Sequence, residues 1–261
     1  MYSADLLKGR VALITGGGSG IGLSIAEQYL ALGAKVAIVS RNAERLESAA
    51  SSLRSQGTTE IAAFQADVRN YDQVSAAMDA VLERFGSLDI LVNNAAGNFF
   101  CPTAEMSPNA WRTVIDIDLN GTFHGCRAAH ARLRESRWGG CIINIITMQA
   151  LSGWPGAAHA AAAKAGILSL TRTLAVEWGG EGIRVNAISP GPIGDTEGAK
   201  RIYEERGRAD QERSRVALGR FGKKQEVANA AAFLASDLAS FVTGENLIVD
   251  GGRWLKYVSE K

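Results

Sequence analysis

The sequence predicts one α/β domain in which helices cover both faces of a parallel β-sheet, the doubly wound (Rossmann) fold class. Short apolar runs alternate along the chain with longer stretches of helical periodicity, which is the pattern of parallel sheets. The glycine-rich stretch TGGGSGIG (15–22) stands where the first strand turns into the first helix. The 261 residues are 46% hydrophobic and show no linker or repeat, so we expect a single domain spanning residues 1–261.

The first part of the chain shows this alternation plainly. RVALITG (10–16) is an apolar run that ends in glycine, which predicts a buried strand. IGLSIAEQYLALG (21–33) has apolar residues at helical spacing before a final glycine, so we expect a helix. AKVAIVSR (34–41) predicts the second strand, AERLESAASSLRSQG (43–57) a helix with one polar face, and IAAFQADV (61–68) the third strand.

The middle of the chain contains the two longest predicted helices. DQVSAAMDAVLERFG (72–86) has helical periodicity, and LDILVNNAAG (88–97) predicts a strand that runs into a loop of small residues. We expect one long helix over most of 108–135 and another over about 157–178. The continuous apolar run GCIINII (140–146) between them predicts a buried strand.

The last part of the chain completes the alternation after one irregular segment. IRVNAIS (183–189) predicts a strand, residues 225–236 a helix, and NLIVDGG (246–252) the last strand. The segment at about 190–220 is long, charged and contains glycines. We interpret it as a substrate loop of the same domain, because long loops in compact domains are commonly functional.

Composition excludes several classes of protein. The net charge of +1 gives no overall field for nucleic acid, and no apolar run reaches the length of about 18 residues that a membrane-spanning helix needs. The beginning of the sequence lacks a signal-peptide core and its end, VSEK, matches no peroxisomal or retention signal, so we expect a cytoplasmic protein. Cys101, Cys126 and Cys141 lack metal-ligand spacing, so we expect reduced thiols and no metal site.

The glycine-rich loop predicts a site for a dinucleotide. Glycines let the backbone approach a pyrophosphate, and the following helix presents N–H groups and the positive end of its dipole. A tight turn without a ligand is the alternative. The residues expected to hold the pyrophosphate and its ribose are Gly16, Gly18, Ser19, Gly20, Ile21 and Gly22.

The residues after the second predicted strand favour NADP(H) over NAD(H). Enzymes that use NAD commonly place an acid there to bind the ribose 2′-hydroxyl, whereas this chain has Arg41 followed by Arg45. A guanidinium pairs well with a 2′-phosphate. Two solvated arginines at a helix start remain the alternative. Asp67 and Val68, at the end of the third strand, are expected beside the adenine.

Taken together, these features resemble the short-chain dehydrogenase/reductase family. The motifs that carry the resemblance over nearly the whole chain are TGGGSGIG, NNAAG (93–97), NIIT (144–147), AAKAG (162–166), RVNAISPGPI (184–193) and VDGG (249–252). The resemblance implies a seven-stranded parallel sheet, a nicotinamide cofactor and a homotetramer or homodimer. It also implies that further residues contact the cofactor: Asn94, Ala95, Lys164, Pro190, Gly191, Ile193 and Thr196.

The chain departs from the family at the catalytic tyrosine. The family has Tyr-x-x-x-Lys, but four residues before Lys164 this sequence has Ala160. Thirteen residues earlier, where the family has serine, Thr147 keeps a hydroxyl. In the segment DIDLNGTF (116–123) Asp118 replaces the family's asparagine. Ordinary carbonyl reduction is therefore in doubt, because the usual proton donor is missing.

A narrower resemblance, to the 2,4-dienoyl-CoA reductases of the peroxisomal type, accounts for this departure. It rests on NNAAGNFFCPTAEMSPNAW (93–111), DIDLNGTF, HAAAAKAG (159–166), LAVEWG (174–179) and PGPIGDTEG (190–198). It implies that Asp118 and Lys164 hold a catalytic water, and that NADPH reduces a 2,4-dienoyl-CoA to a 3-enoyl-CoA in the degradation of unsaturated fatty acids. It further implies that acyl-CoA contacts Arg69, Phe99, Ser107, Asn109 and Arg201.

Several readings stay open at this point. Asp118 could instead be a solvated carboxylate or a partner of Arg112 or His124. Asn120 could bind an oxyanion or simply pack, and His159 could supply a proton, although five residues from Lys164 it is expected on the helix surface or at the substrate entrance. The alternative functions are another reductase of the family that acts on enoyl-CoA or keto substrates, and a non-catalytic dinucleotide-binding protein.

Overall fold

The computed structural model describes residues 2–55, 57, 60–196, 199, 203, 207 and 209–255. Within them, seven strands form one sheet in the order β3-β2-β1-β4-β5-β6-β7, and every neighbouring pair is parallel. The strands are β1 (Val11–Thr15), β2 (Lys35–Ser40), β3 (Ile61–Gln65), β4 (Ile90–Asn93), β5 (Gly140–Ile145), β6 (Ile183–Pro190) and β7 (Asn246–Val249). The predicted seven-stranded, doubly wound sheet is confirmed.

Helices cover both faces of the sheet. They are α1 (Gly20–Ala31), α2 (Ala43–Ser55), α3 (Tyr71–Phe85), α4 (Pro108–Ile115), α5 (Gly121–Arg134), α6 (Ala158–Trp178), α7 (Ala209–Arg215) and α8 (Lys224–Ala235). Alternate residues of each strand point to opposite faces. Ile14 of β1 therefore packs in the layer of α1, α2 and α8, whereas its neighbour Leu13 packs in the layer of α3, α5 and α6.

Three segments differ from the sequence prediction. The predicted helix over 108–135 is interrupted by one π-helical turn at Asp116–Asn120, which separates α4 from α5. Helix α7 lies inside the segment 190–220, which was predicted as a loop. Strand β3 ends at Gln65 rather than at 68, because the chain then turns toward α3, which begins after its N-cap Asn70.

Because the strands are all parallel, their carboxyl ends lie at the same edge of the sheet. The strand order reverses between β1 and β4, and ligands of such sheets bind at this point, outside the carboxyl ends of the strands. Helix α5 packs tightly on β4 near this edge. A Cβ added at Gly125 would lie only 2.3 Å from Oδ1 of Asn93. No helix in the described part of the chain is both long and apolar enough to span a lipid bilayer.

Candidate active site

The turn between β1 and α1 is built so that its backbone is accessible. Gly16 and Gly20 have φ angles of +66° and +58°, which favour glycine. A Cβ added at Gly22 would lie 2.5 Å from Nδ2 of Asn94, so this position cannot carry a side chain without a shift. The amide of Asn94 donates to the backbone oxygens of Thr15 and Gly16 at 3.0 and 3.3 Å. Asn94, which directly follows β4, thereby fixes the backbone conformation of the glycine-rich loop.

A cleft of about 910 Å³ extends from this loop to the end of β2. It is lined by most of the residues predicted to bind a dinucleotide: Gly16, Gly18, Ser19, Gly20, Ile21, Arg41, Arg45, Asp67, Val68, Asn94, Ala95 and Thr196. Its size is within the range of cofactor sites. Gly22 lies behind the loop and is buried.

Three cationic side chains line this cleft, together with Asp67 and Asp195. Arg41 and Arg45 both line it, and Arg45 passes over the loop, its Cγ 3.5 Å from the position of a Cβ at Gly18. The sequence analysis missed a third cation, Lys224, which lines the same cleft and lies with its Nζ 3.8 Å from Oδ2 of Asp195. Lys224 lies far along the chain in the first turn of α8, and no local signal points to it.

The aspartate that lines the cleft after β3 is held by an arginine. Arg69 makes a two-pronged contact with Asp67, with Nε 3.0 Å from Oδ1 and Nη2 2.5 Å from Oδ2. This hydrogen bonding lowers the pKa of Asp67. Arg69, which was predicted to contact acyl-CoA, is bound to Asp67 in this ligand-free structure, and its predicted role stays a prediction.

A second cavity, of about 260 Å³, adjoins the cleft at the ends of β4, β5 and β6. Asp118, Thr147, Gln149, Ala160 and Lys164 line it, and alanine stands at position 160, where the family pattern predicts a tyrosine. Pro190, Gly191 and Ile193, which were predicted to contact a cofactor and do not line the larger cleft, line this cavity as well. The small side chain of Ala160 leaves its wall apolar and open.

The centre of this cavity is a buried ion pair. Nζ of Lys164 lies 3.2 Å from Oδ2 of Asp118, and the two side chains are 6% and 1% exposed. Oδ1 of Asp118 accepts the backbone N–H of Gly97 at 2.7 Å, and Lys164 also donates to the backbone oxygen of Ile145 at 3.1 Å. Asp118 is therefore neither a solvated carboxylate nor a partner of His124, whose Nδ1 contacts the oxygen of Val68.

The π-helical turn explains how Asp118 reaches this position. The turn contains Asp116–Asn120 and inserts an extra residue per turn relative to an α-helix, which changes the direction of the side chains that follow. Asp118 is the buried residue of the turn. Asn120 points outward, and its amide donates to Asp116 at 2.8 Å. The structure thus does not bring Asn120 into the cavity, where it was predicted as a possible oxyanion donor.

The other possible catalytic residues are placed differently from each other. The hydroxyl of Thr147 lines the cavity and accepts the N–H of Gln149 at 3.0 Å. His159 is fully buried, and its expected place on the helix surface was wrong. The reason is that Phe99 covers it, with ring centroids 4.4 Å apart in an edge-to-face contact.

Three of the residues predicted to contact acyl-CoA lie between β4 and the first turn of α4: Phe99, Ser107 and Asn109. Phe99 is 39% exposed, Ser107 caps α4 by accepting the N–H of Ala110, and Asn109 is exposed. Arg201 lies outside the described residues. Trp154 lines the cavity and packs edge-to-face on Phe100 with centroids 5.5 Å apart, so aromatic side chains of this loop region stand beside the cavity.

The sequence analysis also missed Tyr203, which lines the cavity from the segment 190–220. Burial raises the pKa of its hydroxyl to about 12, so the phenol stays neutral. Its ring packs on Phe221 with centroids 5.4 Å apart. The segment shows no periodicity, and so no pattern could have assigned Tyr203 to the site.

Comparison with known proteins agrees with this architecture. A family model described as enoyl-(acyl carrier protein) reductase matches residues 16–253. A protein of Bacillus subtilis named probable 2,4-dienoyl-CoA reductase [(2E)-enoyl-CoA-producing] is 44% identical over 94% of this chain and 97% of its own length. The peroxisomal 2,4-dienoyl-CoA reductase [(3E)-enoyl-CoA-producing] of Danio rerio is 44% identical over 98% of this chain and 85% of its own length.

The solved structures give the same result. The crystal structure of a short chain dehydrogenase from Bacillus anthracis superposes with a TM-score of 0.90 at 43% identity. It covers 97% of this chain, and this chain covers 100% of it. Such similarity over the full sheet and both helical layers, together with the glycine loop and the retained lysine, implies an oxidoreductase that uses a nicotinamide dinucleotide. The chain belongs to the short-chain dehydrogenase/reductase family, and it resembles the 2,4-dienoyl-CoA reductases within it.

Proposed function

We propose that the protein reduces 2,4-dienoyl-CoA to 3-enoyl-CoA with NADPH, in the degradation of unsaturated fatty acids. The observation that carries this proposal is the buried pair of Asp118 and Lys164, 3.2 Å apart, beside a wall that has alanine at the tyrosine position 160. The pair keeps a charged proton-handling site where the ordinary carbonyl reductase has a phenol. The names of its relatives support the substrate class.

The residues at the cleft suit a phosphorylated dinucleotide. The glycine loop suits the pyrophosphate, and Arg41, Arg45 and Lys224 provide cations on the side where a 2′-phosphate is expected. Lys164 lines the cavity that adjoins the cleft, and it is suited to bind the nicotinamide ribose through its remaining donor capacity. The reduced nicotinamide supplies a hydride, which we expect to add at C5 of the conjugated thioester.

Hydride addition at C5 changes what the protein must provide. In a ketone the new charge falls on the oxygen next to the attacked carbon, so a general acid is needed there. In a dienoyl thioester the charge moves through the conjugated system to the thioester oxygen. The protein then needs a donor for that oxygen and a proton source at Cα. Asp118 can orient a water at this point, and the ammonium of Lys164 makes its proton more acidic.

The carbon atom that receives the proton determines which enoyl-CoA is formed. Protonation at Cα leaves an isolated 3-enoyl double bond, whereas protonation at C4 leaves a conjugated 2-enoyl double bond. The two relatives described above are named for different products. We favour the 3-enoyl product, because the narrower sequence resemblance is to the peroxisomal type, which is named for it.

One competing function is favoured by a specific finding. The matching family model is described as an enoyl-(acyl carrier protein) reductase, so a 2-enoyl thioester is a reasonable alternative substrate. The experiment compares NADPH oxidation by the purified protein with 2,4-hexadienoyl-CoA, crotonyl-CoA and acetoacetyl-CoA. We expect turnover with hexadienoyl-CoA alone, and a product that mass spectrometry shows to be reduced and ultraviolet absorption shows to be unconjugated. Faster turnover of crotonyl-CoA would reject the proposal in favour of an enoyl reductase.

A further inference from the structure

His159 is a buried imidazole to which the mechanism above assigns no role. It lies in the first turn of α6, one residue before the cavity-lining Ala160, and its side chain is 0% exposed. Its Nδ1 lies 2.7 Å from the backbone nitrogen of Ala160. Among the residues that the structure describes, Nε2 has no hydrogen-bond partner. Native folds rarely leave a buried polar atom unpaired, because it costs stability without a return.

The contact with Ala160 decides which ring nitrogen carries the proton. A backbone N–H can only donate, so Nδ1 accepts, and the neutral ring carries its proton on Nε2. Burial lowers the pKa of His159, against the opposing effects of Asp118 and the Ala157 carbonyl. The positive end of the α6 dipole also favours the neutral ring. Nε2–H is therefore a neutral donor fixed by its surroundings.

This imidazole belongs to the residue next to Ala160, which lines the cavity. Asp118 is close enough for its charge to act on the imidazole, and the neighbouring residue Ala160 forms the cavity wall. Phe99 covers the ring edge-to-face while remaining 39% exposed itself. The cover belongs to the same loop as Gly97, whose N–H binds Asp118. Phe99 is therefore the exposed ring that an acyl chain would have to displace to reach this imidazole.

We propose that Nε2–H of His159 donates a hydrogen bond to the thioester oxygen of the acyl-CoA, once the acyl group has displaced the Phe99 ring. This inference rests on the proposed function. As negative charge reaches the thioester oxygen, the neutral imidazole stabilises it, and no proton leaves the ring. The proton that reaches Cα comes from the water at Asp118 and Lys164. His159 thus supplies the oxyanion donor that this pair does not.

Asn120 and Thr147 are the other side chains considered as donors to the thioester oxygen. Asn120 is bound to Asp116 and faces outward. The hydroxyl of Thr147 accepts one N–H from Gln149 and keeps its own proton, so it can serve as a second donor. Two donors from different elements, the end of β5 and the start of α6, would then meet at one oxygen, as in other oxyanion sites.

The test compares His159→Phe, which keeps an aromatic ring but removes the donor, with His159→Gln, whose amide can replace Nε2–H. Isotope-edited infrared spectra of 2,4-hexadienoyl-CoA labelled with ¹³C at the thioester carbon are recorded with the enzyme and NADP⁺, a complex that cannot react. We expect the carbonyl stretch to fall on binding to the wild type and to His159→Gln, but not to His159→Phe. We expect kcat of His159→Phe to fall about 100- to 1000-fold with an unchanged KM for NADPH, and His159→Gln to recover part of it.

The outcomes separate this inference from the proposed function. Wild-type protein that fails to oxidise NADPH with hexadienoyl-CoA rejects the proposed function, and the infrared comparison is then run with the acyl-CoA that it does reduce. A kcat of His159→Phe within threefold of the wild type, with the same carbonyl shift, overturns the role of His159. Equal losses of kcat in His159→Phe and His159→Gln, with the carbonyl shift of the wild type in both, would show a packing role and also overturn the proposal. NADPH titration by fluorescence reports whether each variant is folded, and His159→Leu replaces a Phe variant that is not.

Discussion

At the scale of single residues, the most informative change is the aspartate at 118. The sequence analysis identified Asp118 and Lys164 through their places in a family pattern, and the structure brings them to 3.2 Å. What no pattern could predict is their environment: the N–H of Gly97, the oxygen of Ile145 and nearly complete burial. A buried ion pair is weak evidence for stability, since desolvation offsets the attraction. Its retention is better explained by chemistry.

Asp118→Asn tests whether the charge of the pair is needed. The variant keeps the shape and an oxygen for Gly97, but it can no longer orient a water by its charge. We expect kcat with 2,4-hexadienoyl-CoA to fall about 100-fold or more, with NADPH affinity largely retained. Steady-state kinetics and fluorescence titration measure the two effects. A variant with full kcat at neutral pH would show that another group supplies the proton.

Arg41→Ala tests the choice between the two dinucleotides. Arg41 lines the cleft at the end of β2, where a ribose 2′-phosphate is expected. We expect the variant to lose about 1.5–3 kcal/mol of NADPH binding free energy, the value of a hydrogen bond to a charged group, and almost no NADH binding. Isothermal titration with each cofactor gives the comparison. Equal losses for both would place Arg41 away from the phosphate.

The burial of His159 also predicts a dependence of stability on pH. Its folded-state pKa is lowered, so the stabilisation is complete above the unfolded-state pKa of about 6.5 and is lost as the pH falls toward the folded-state value. Urea unfolding between pH 7.5 and pH 5 should show a declining free energy of unfolding in the wild type. His159→Gln should decline less over that range, and identical slopes would contradict the assignment of a neutral ring.

At the scale of elements, periodicity located every strand of the sheet and its main helices, because burial on one or both faces leaves a direct mark on the sequence. It could not locate features set by distant contacts. The π-helical turn at Asp116–Asn120 contains Asp118, whose partner lies in the distant helix α6, and α7 lies in a segment whose composition resembles a loop. Lys224 and Tyr203 enter the site from late in the chain for the same reason.

Gly125→Ala tests the close packing of α5 on β4. The added Cβ would lie 2.3 Å from Oδ1 of Asn93. The Asn93 side chain is buried, and its Nδ2 is held by donating a hydrogen bond to Oδ1 of Asn144. We expect a loss of about 1–3 kcal/mol in the free energy of unfolding from overpacking, measured by urea denaturation. Gly180→Ala is the matched control, because its added Cβ has no neighbour within 4 Å among the described residues, and it should be neutral or slightly stabilising. Similar values for the two would contradict the packing argument.

At the scale of the whole molecule, several large apolar side chains remain on the outside of the helices that follow β4. Trp111 of α4, Phe123 of α5 and Val176 of α6 are 40%, 46% and 85% exposed. Exposed apolar residues on neighbouring elements are typical of surfaces that associate. We therefore expect helices α4, α5 and α6 to form an interface of the homotetramer or homodimer that the family resemblance implies.

Phe123→Lys tests this face. We expect light scattering at micromolar concentration to give the mass of a tetramer or dimer for the wild type and a smaller mass for the variant, because a lysine is costly to bury between subunits. Ser52→Lys, on an exposed position of α2 in the opposite layer, should leave the mass unchanged. A monomeric wild type would sink the assembly prediction as a whole.

The two-pronged contact between Arg69 and Asp67 has a consequence for kinetics. If the adenine engages Asp67 and a phosphate of acyl-CoA engages Arg69, neither ligand can bind fully without loosening the same contact. The ligand that binds first must offset the free-energy cost of separating Arg69 from Asp67. The second ligand then binds a side chain that is already free of this contact. Thermodynamic linkage then makes each ligand raise the affinity for the other by the same factor. CoA should bind more tightly to the enzyme saturated with oxidised cofactor than to the free enzyme, and the steady-state mechanism should be sequential.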